Sequence, residues 1–488
     1  MAAAKKVQLR LPIPRRAYKA QSGIIETLDS TSAQIPSGFL ASGQQPRDPN
    51  SQLARLAQQF ATQNRARLRL LNAELQTTYD GTSVHLQVTT HSEIGAVSLV
   101  SPTTGRSEYG LVIKPRFGWP GIGPILGASG WRVAPSPLGT PSLPRSERKI
   151  PPWVLAAIVI FRMRALVQNL DRKFEMTSGE RRAPRGSVAW EEYARRKMSC
   201  ARLLEVPCRF PDLREDRELK GAIRFTLERQ LGSLEGQRTA GAFVLDLIVL
   251  CQQLLNRVRD SPAMPPRAAT VATWMRGSLR TEIFRRGVEA IEWTVDERGL
   301  AGLSDLQGLP WVMSMESFFE AWVETIMARV ARQSGGLLRT GRQKQTVVPL
   351  GWSPPYLGSQ KSLIPDVTLE REDLTVIVDA KYKDHWEEMQ DRRWTNLDEE
   401  LRERHRDDLL QVLAYSTIAR TRRVVVCLAY PCREDTWESL RETGRLFHRA
   451  SVPAGDRQIE LLLTAFPLST RVLDDVVKEA SKQIATTN

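Results

Sequence analysis

The sequence predicts a multidomain fold of mixed α+β and α/β character: a β-rich N-terminal unit, a helical middle domain and a C-terminal α/β domain. Three observations predict it. The chain has 488 residues, enough for two to four domains at roughly 100 to 200 residues each. Its apolar periodicity changes along the chain, from alternation, through helical spacing, to helices interleaved with short β-branched runs. Its composition, 41% hydrophobic and 25% charged, is that of a globular protein and argues against wholesale disorder or a membrane protein.

The elements follow in order. Residues 1–50 read as a flexible basic arm, because six basic and no acidic residues occur up to Lys19 and a Ser, Gln and Pro-rich stretch follows. Residues 51–150 read as the N-terminal domain. SQLARLAQQFATQNRARLRLLNA has helical spacing, TTYDGTSVHLQVTT alternates around an Asp-Gly turn, and the Gly and Pro-rich remainder holds short apolar runs such as AVSLV and YGLVIKP. Residues 151–300 read as a helical middle domain. Its most apolar run, PPWVLAAIVIF, is followed at once by Arg162 and Arg164 and is about half the length of a bilayer span, so it predicts a buried helix. Residues 301–488 read helix, strand, strand, helix, strand, helix, the pattern of a compact α/β unit.

Charge and cysteine usage limit the function. A formal net charge of +14 and a pI near 9.8 point to a polyanionic partner, with nucleic acid first. Five cysteines without a C-x-x-C pair indicate neither a disulfide framework nor a zinc ribbon and suit a reducing cytoplasm. The N-terminus has no apolar run of signal-peptide length. The five histidines show no ligand spacing and no phosphate-cradling G-x-x-x-x-G-K-[ST] loop occurs, so a nucleotide-driven motor would have to come from another chain.

The chemistry concentrates in SLIPDVTLEREDLTVIVDAKYK, Ser362 to Lys383. Two β-rich runs flank the charged turn Arg371, Glu372, Asp373. A two-residue loop at Glu372 and Asp373 pairs Arg371 with Leu374 and carries the register up to Asp366 opposite Asp379. The two carboxylates then share one face with Cβ atoms about 4.5 to 5.5 Å apart, and Lys381, two residues past Asp379, returns to that face. Two facing carboxylates on an apolar hairpin call for a proton or a cation. Oxygen donors favour Mg²⁺ or Mn²⁺ over zinc. A divalent ion beside an ammonium suggests phosphodiester hydrolysis. The plain alternative is that both aspartates merely end strands.

The flanking sequence adds further candidates. In DDLLQVLAYSTIAR, Gln411 and Tyr415 are four apart on one helical face, with Asp407 and Asp408 a turn earlier. RRVVVCLAYP suits a buried strand. In MSMESFFEAWVETIMARVAR, Glu316 and Glu320 lie beside the apolar stripe and read first as a polar helix face, with Glu320 in reach of a metal shell as the alternative. Residues 384–408 hold ten acidic and five basic residues with Trp386 and Trp394, and read as a charged lid or insertion.

IPDVTLE, VDAKYK and DLLQVLAY resemble the PD-(D/E)xK nuclease signature, in the form found in McrC subunits of modification-dependent (type IV) restriction systems. RRAPRGSVAW, LLEVPCRFPDLREDRELKGAIRFTL, SFFEAWV and YGLVIKPRFG resemble other stretches of that family, so the likeness runs from about Leu86 to Pro467. The resemblance implies a restriction-endonuclease-like C-terminal fold, Mg²⁺, DNA as substrate and an AAA+ GTPase or ATPase motor of the McrB type docked on the N-terminal half. It implies metal ligation by Asp366, Asp379, Glu320 and the backbone of Ala380, with Lys381 as the catalytic lysine, Glu320 as the helix acid, and Gln411 and Tyr415 as a Q-x-x-x-Y pair. The long basic arm and the acidic insertion depart from the family core. The expectation is therefore a Mg²⁺-dependent DNA endonuclease subunit of an antiphage system. A stand-alone repair nuclease, a non-catalytic DNA-binding adaptor and an RNA-directed nuclease compete with it.

Overall fold

The computed structural model describes residues 5–6, 23–40, 49–80, 83–138, 152–170, 172–276, 281–295, 310–354, 360–383, 386, 399–454 and 457–485. They form two compact units, one from residues 1–151, 239–243 and 307–488, the other from 152–238 and 244–306. The architecture is mixed α and β throughout, with several sheets.

In the first unit, β1 (Gly23–Leu28), β2 (Ser32–Pro36), α1 (Pro49–Arg69), β3 (Ala73–Asp80), β4 (Ser83–Thr90), β5 (Glu93–Val100), β6 (Ser107–Lys114) and α2 (Ile122–Ala128) follow one another. The expected helix and Asp-Gly hairpin are α1 and β3–β4, paired from Ala73 with Thr90 to Asp80 with Ser83. The expected flexible arm is corrected over residues 23–40. GIIETL and SAQIP form β1 and β2 because Ile25, Ile35, Phe39 and Leu40 supply enough apolar surface to bury. The remainder of the arm, apart from Lys5–Lys6, lies outside the described residues.

The second unit contains α3 (Pro152–Gln168), β7 (Arg172–Arg181), β8 (Ser187–Val188), β9 (Val206–Glu215), α4 (Arg217–Glu235), most of α5 (Ala242–Arg257), α6 (Ala268–Arg276) and α7 (Glu282–Val295). The apolar run at Trp153 is a buried helix. No helix of the described residues is long and apolar enough to cross a membrane. The middle region is not purely helical: β8, β9 and β7 form an antiparallel sheet in which β7 and β9 pair over ten residues. RKFEMTSGER and VPCRFPDLRE are too charged for their alternation to stand out in the sequence.

The chain then returns to the first unit with β10 (Trp311–Ser314), α8 (Met315–Ser334), β11 (Leu337–Thr340), β12 (Val367–Glu370), β13 (Leu374–Ala380), α9 (Glu399–Ser416), β14 (Arg423–Cys432), α10 (Glu434–Glu442), β15 (Phe447–Ala454), β16 (Arg457–Pro467) and α11 (Leu473–Ala485). The six-stranded sheet runs β11-β12-β13-β14-β16-β15, with β13, β14 and β16 parallel and the outer pairings antiparallel. β14 sits between two parallel neighbours and is buried along nearly its whole length, as its β-branched sequence predicts. The helix predicted over MSMESFFEAWV is α8. The Ser314 hydroxyl accepts from the Ser317 N–H at its start, and Gly335 at φ 73° ends it. Against the three strands and three helices read from the sequence, β10, β11, β15, β16 and one further helix are additional. Of these, β11 and β15 lie at sheet edges, where LLRT is short and FHRASVPA is polar and interrupted by Pro453.

Candidate active site

The hairpin β12–β13 positions the two candidate carboxylates. The Arg371 N–H donates to the Leu374 carbonyl at 2.9 Å, leaving Glu372 and Asp373 as a two-residue loop. The ladder pairs Glu370 with Thr375 and Val367 with Val378, which is the register that such a loop dictates. One step further, Asp366 faces Asp379. An Asp366 carboxylate oxygen accepts the Ala380 N–H at 2.8 Å, so Ala380 contributes to the site through its amide. Asp379 is only 2% exposed.

Lys381 lies on the same face. Its ammonium is 2.8 Å from Asp379 Oδ2 and donates to Gln411 Oε1 at 2.9 Å. Its backbone N–H donates to the Ala429 carbonyl at 2.9 Å, which keeps this segment on β14 just past the strand end. Gln411 and Tyr415 meet as their spacing on α9 predicts. Gln411 Nε2 donates to the Tyr415 hydroxyl at 2.8 Å, and that hydroxyl reaches the Ile364 carbonyl at 3.4 Å. The structure thus gathers Asp366, Asp379, Ala380, Lys381, Gln411 and Tyr415.

Glu320 is near enough for its charge to act on Asp366 and for that of Asp379 to act on it, but its ion pair is with Arg342. Arg342 lies 3.5 Å from it and 3.3 Å from the buried Glu324, which also pairs with Arg132 at 2.9 Å. Among the described residues no three acidic, histidine or cysteine groups converge closely enough to hold a metal. Glu320 would join the pair only after leaving Arg342.

Burial sets the electrostatics. It raises the Asp366 carboxyl to about 8, assisted by the charges of Asp379 and Glu320 and opposed by the Ala380 N–H and Lys381. Asp379 is also raised, by burial first, against the pull of Lys381. For Lys381, burial lowers the pKa but the charge and hydrogen bonding of Asp379 outweigh it, leaving a net rise. The 2.8 Å contact marks the ammonium as settled. The carboxylate stays raised because its burial outweighs that contact.

Two buried carboxylates facing each other, both with raised pKa, are a donor set that fits a hard divalent cation keeping several waters. A test follows from the sign of the shift. In metal-free protein the folded state holds a proton on Asp366 that the unfolded chain releases near its ordinary value of about 3.9. Stability from this group is therefore full at low pH and lost as pH rises through about 8. Thermal melts in chelator should show wild type losing more stability than Asp366→Asn as pH rises from about 6 to about 8.5, and Mg²⁺ or Mn²⁺ should restore wild type most at the upper end. Parallel pH dependence in the two proteins would remove the buried charge from the account.

Several contacts were not legible from sequence spacing. Asp408, one turn before Gln411, is buried and holds the Lys383 ammonium at 2.7 Å while accepting from the Tyr430 hydroxyl at 3.2 Å. Residues 399–408 of the expected lid therefore form the first part of α9, and Trp386 is buried with its indole N–H on the Thr464 carbonyl. Residues 384–385 and 387–398 lie outside the described residues. Arg116 donates to the Tyr382 carbonyl at 3.0 Å, covers the Tyr382 ring at 4.4 Å and has Asp29 beside it at 3.7 Å. It thus grips the residue between Lys381 and Lys383. Arg342, which governs Glu320, has no sequence signal either.

On the expectation of phosphodiester hydrolysis, Gln411→Ala slows cleavage by roughly tenfold, as for other residues that orient a reacting group through a hydrogen bond, since Lys381 would keep Asp379. Single-turnover cleavage measures this. A loss as large as that for Asp379→Ala would put Gln411 at the reacting atoms.

Comparison with known proteins adds the following. Residues 139–431 match the family model described as McrBC 5-methylcytosine restriction system component. No curated protein matches the chain. Among solved structures, a refined half-complex from the tetradecameric assembly of Thermococcus gammatolerans McrB AAA+ hexamers with bound McrC is 14% identical, with 94% of this chain and 100% of that chain covered and a TM-score of 0.40. The cryo-EM structure of the Thermococcus gammatolerans McrBC complex is also 14% identical, covering 63% and 88%, with a TM-score of 0.26.

Proposed function

The chain belongs to the family of McrBC 5-methylcytosine restriction system components, and from that premise we propose that it is the DNA-cleaving subunit, a Mg²⁺ or Mn²⁺-dependent endodeoxyribonuclease of the PD-(D/E)xK class activated by an AAA+ McrB-type NTPase. The observation that carries this reading is the hairpin register, which sets Asp366, Asp379 and Lys381 on one face at the end of a buried strand. A non-catalytic adaptor has no use for that costly placement of charge.

Asp366 and Asp379 would hold the cation. When bound, it would supply Lewis-acid stabilisation of charge on the scissile phosphate. Hydrolysis adds water across the P–O bond. The new P–O bond forms as the bond to the leaving sugar oxygen breaks, and a proton ends on that oxygen. Lys381 keeps its ammonium charged and so acts as a donor and a local positive charge, orienting water and phosphate rather than abstracting a proton. Gln411 fixes the lysine's second direction, and Tyr415 fixes the Gln411 amide. Glu320 is a further acid for this site once Arg342 is drawn away, for which the phosphate itself offers a competing partner.

Activation by a partner is part of the proposal. The chain has no phosphate-cradling loop, and a protein of +14 charge would meet any DNA through sequence-independent phosphate contacts. The purified chain with Mg²⁺ is expected to leave modified and unmodified DNA uncut, and to cut when the AAA+ partner and GTP or ATP are added. Robust cutting by the chain alone without nucleotide would overturn the dependence and favour a stand-alone repair nuclease.

A further inference from the structure

A cavity of about 610 Å³ opens on the face of the hairpin that carries Asp366 and Asp379. Side chains alternate along a strand, so Thr368 and Glu370 share the face of Asp366, and Ile377 and Thr375 share that of Asp379. All four line the cavity, and Pro365, next to Asp366, forms part of its wall. Arg339 is paired with Thr368 across β11 and β12. It therefore lies one two-residue step, about 6.6 to 6.8 Å, from the row of the two aspartates.

The charged side chains of the cavity are mostly basic. Arg339, Arg371 and Arg420 line it against one acidic residue, Glu370, and Arg339 already pairs with Glu370 at 3.2 Å. Arg371 and Arg420 have no ion-pair partner among the described residues. The end of α9 also borders the space, and its carbonyls would oppose an anion there. The two unpaired guanidinium groups supply the charge that offsets them. Guanidinium forks with hydroxyls beside them are suited to phosphate oxygens. The volume lies within the range of small-ligand sites.

We infer that this cavity receives the substrate strand a few nucleotides along from the scissile phosphate, Arg371 and Arg420, at the turn end of the hairpin and about 13 to 17 Å from the aspartates along the strands, holding a phosphodiester group there. The inference rests on the nuclease reading for its direction along the strand. A free nucleoside phosphate offers the same chemistry but needs no continuity with Asp366 and Asp379, and that continuity through Pro365 and Thr368 favours the strand.

The test is binding of a labelled oligonucleotide to the full chain with EDTA present, so that nothing is cut. Arg371→Ala/Arg420→Ala should weaken affinity roughly tenfold and lower the salt dependence by about one to two, whereas Arg445→Ala, an exposed control, should do neither. Thr417→Trp, which fills the cavity from an exposed position, should weaken binding as well. Unchanged oligonucleotide affinity and salt slope in the double variant would overturn the inference. So would a nucleoside monophosphate that binds wild type and not the double variant without competing with the oligonucleotide. Both readouts are independent of cleavage, so a wild-type complex that fails to cut DNA would refute the nuclease reading separately.

Discussion

Asp379→Ala is expected to abolish DNA cleavage by the assembled complex, with a loss of roughly 10³-fold or more, while DNA binding and fold persist. The variant removes one of two carboxylates that would hold the cation, and a loss of about 4 kcal/mol of transition-state stabilisation corresponds to that factor. The fold should tolerate it because the change removes a carboxylate whose burial is unfavourable, as its raised pKa reports, with only the contact to Lys381 lost. The measurement pairs single-turnover cleavage with a thermal melt. Normal cleavage by a well-folded Asp379→Ala complex would take Asp379 out of the site. A melting temperature that falls steeply would show that the carboxylate serves the fold instead.

The second large effect concerns Lys381. Lys381→Ala should lower the cleavage rate by roughly 10² to 10⁴-fold, the usual contribution of a positioned donor. Mn²⁺ affinity should be retained or rise, since the 2.8 Å contact with Asp379 places the ammonium in competition with a cation for the same carboxylate. Titration calorimetry on the metal-free chain separates the two effects. Loss of Mn²⁺ binding in this variant would assign Lys381 to building the cation site rather than to acting on the phosphate.

What could be read in advance follows from the range of the interactions. The hairpin register was legible because it depends on a local loop and a period of two, and it brought Asp366 opposite Asp379 with no tertiary information. The Gln411–Tyr415 contact was legible for the same reason, four residues being one helical turn. The long-range contacts were not. Arg116 and Tyr382 are joined across the sequence by packing alone, and Arg342 meets Glu320 through the return of the chain after β11. Edge strands β11 and β15 carry weak patterns because only one neighbour constrains them. The sheet of β7, β8 and β9 was hidden by charge, its core being as small as Val206, Cys208 and Phe210.

The pairing of β10 with β5 has a consequence for biosynthesis. Trp311 pairs with Ala96 and Ser314 with Glu93, so one edge of β5 waits for a partner made roughly 200 residues later, about 10 to 40 s at ordinary elongation rates. Through that interval a nascent chain presents unpaired amides on an apolar strand, a template for association with other chains. The late partner fits closely, since any side chain at Gly95 would collide with the Trp311 carbonyl. β10 leads directly into α8 and then into the hairpin, so the ribosome releases the candidate cutting site only after the strand that closes the N-terminal sheet. A message broken or a ribosome stalled before that point would yield no fragment carrying the candidate site.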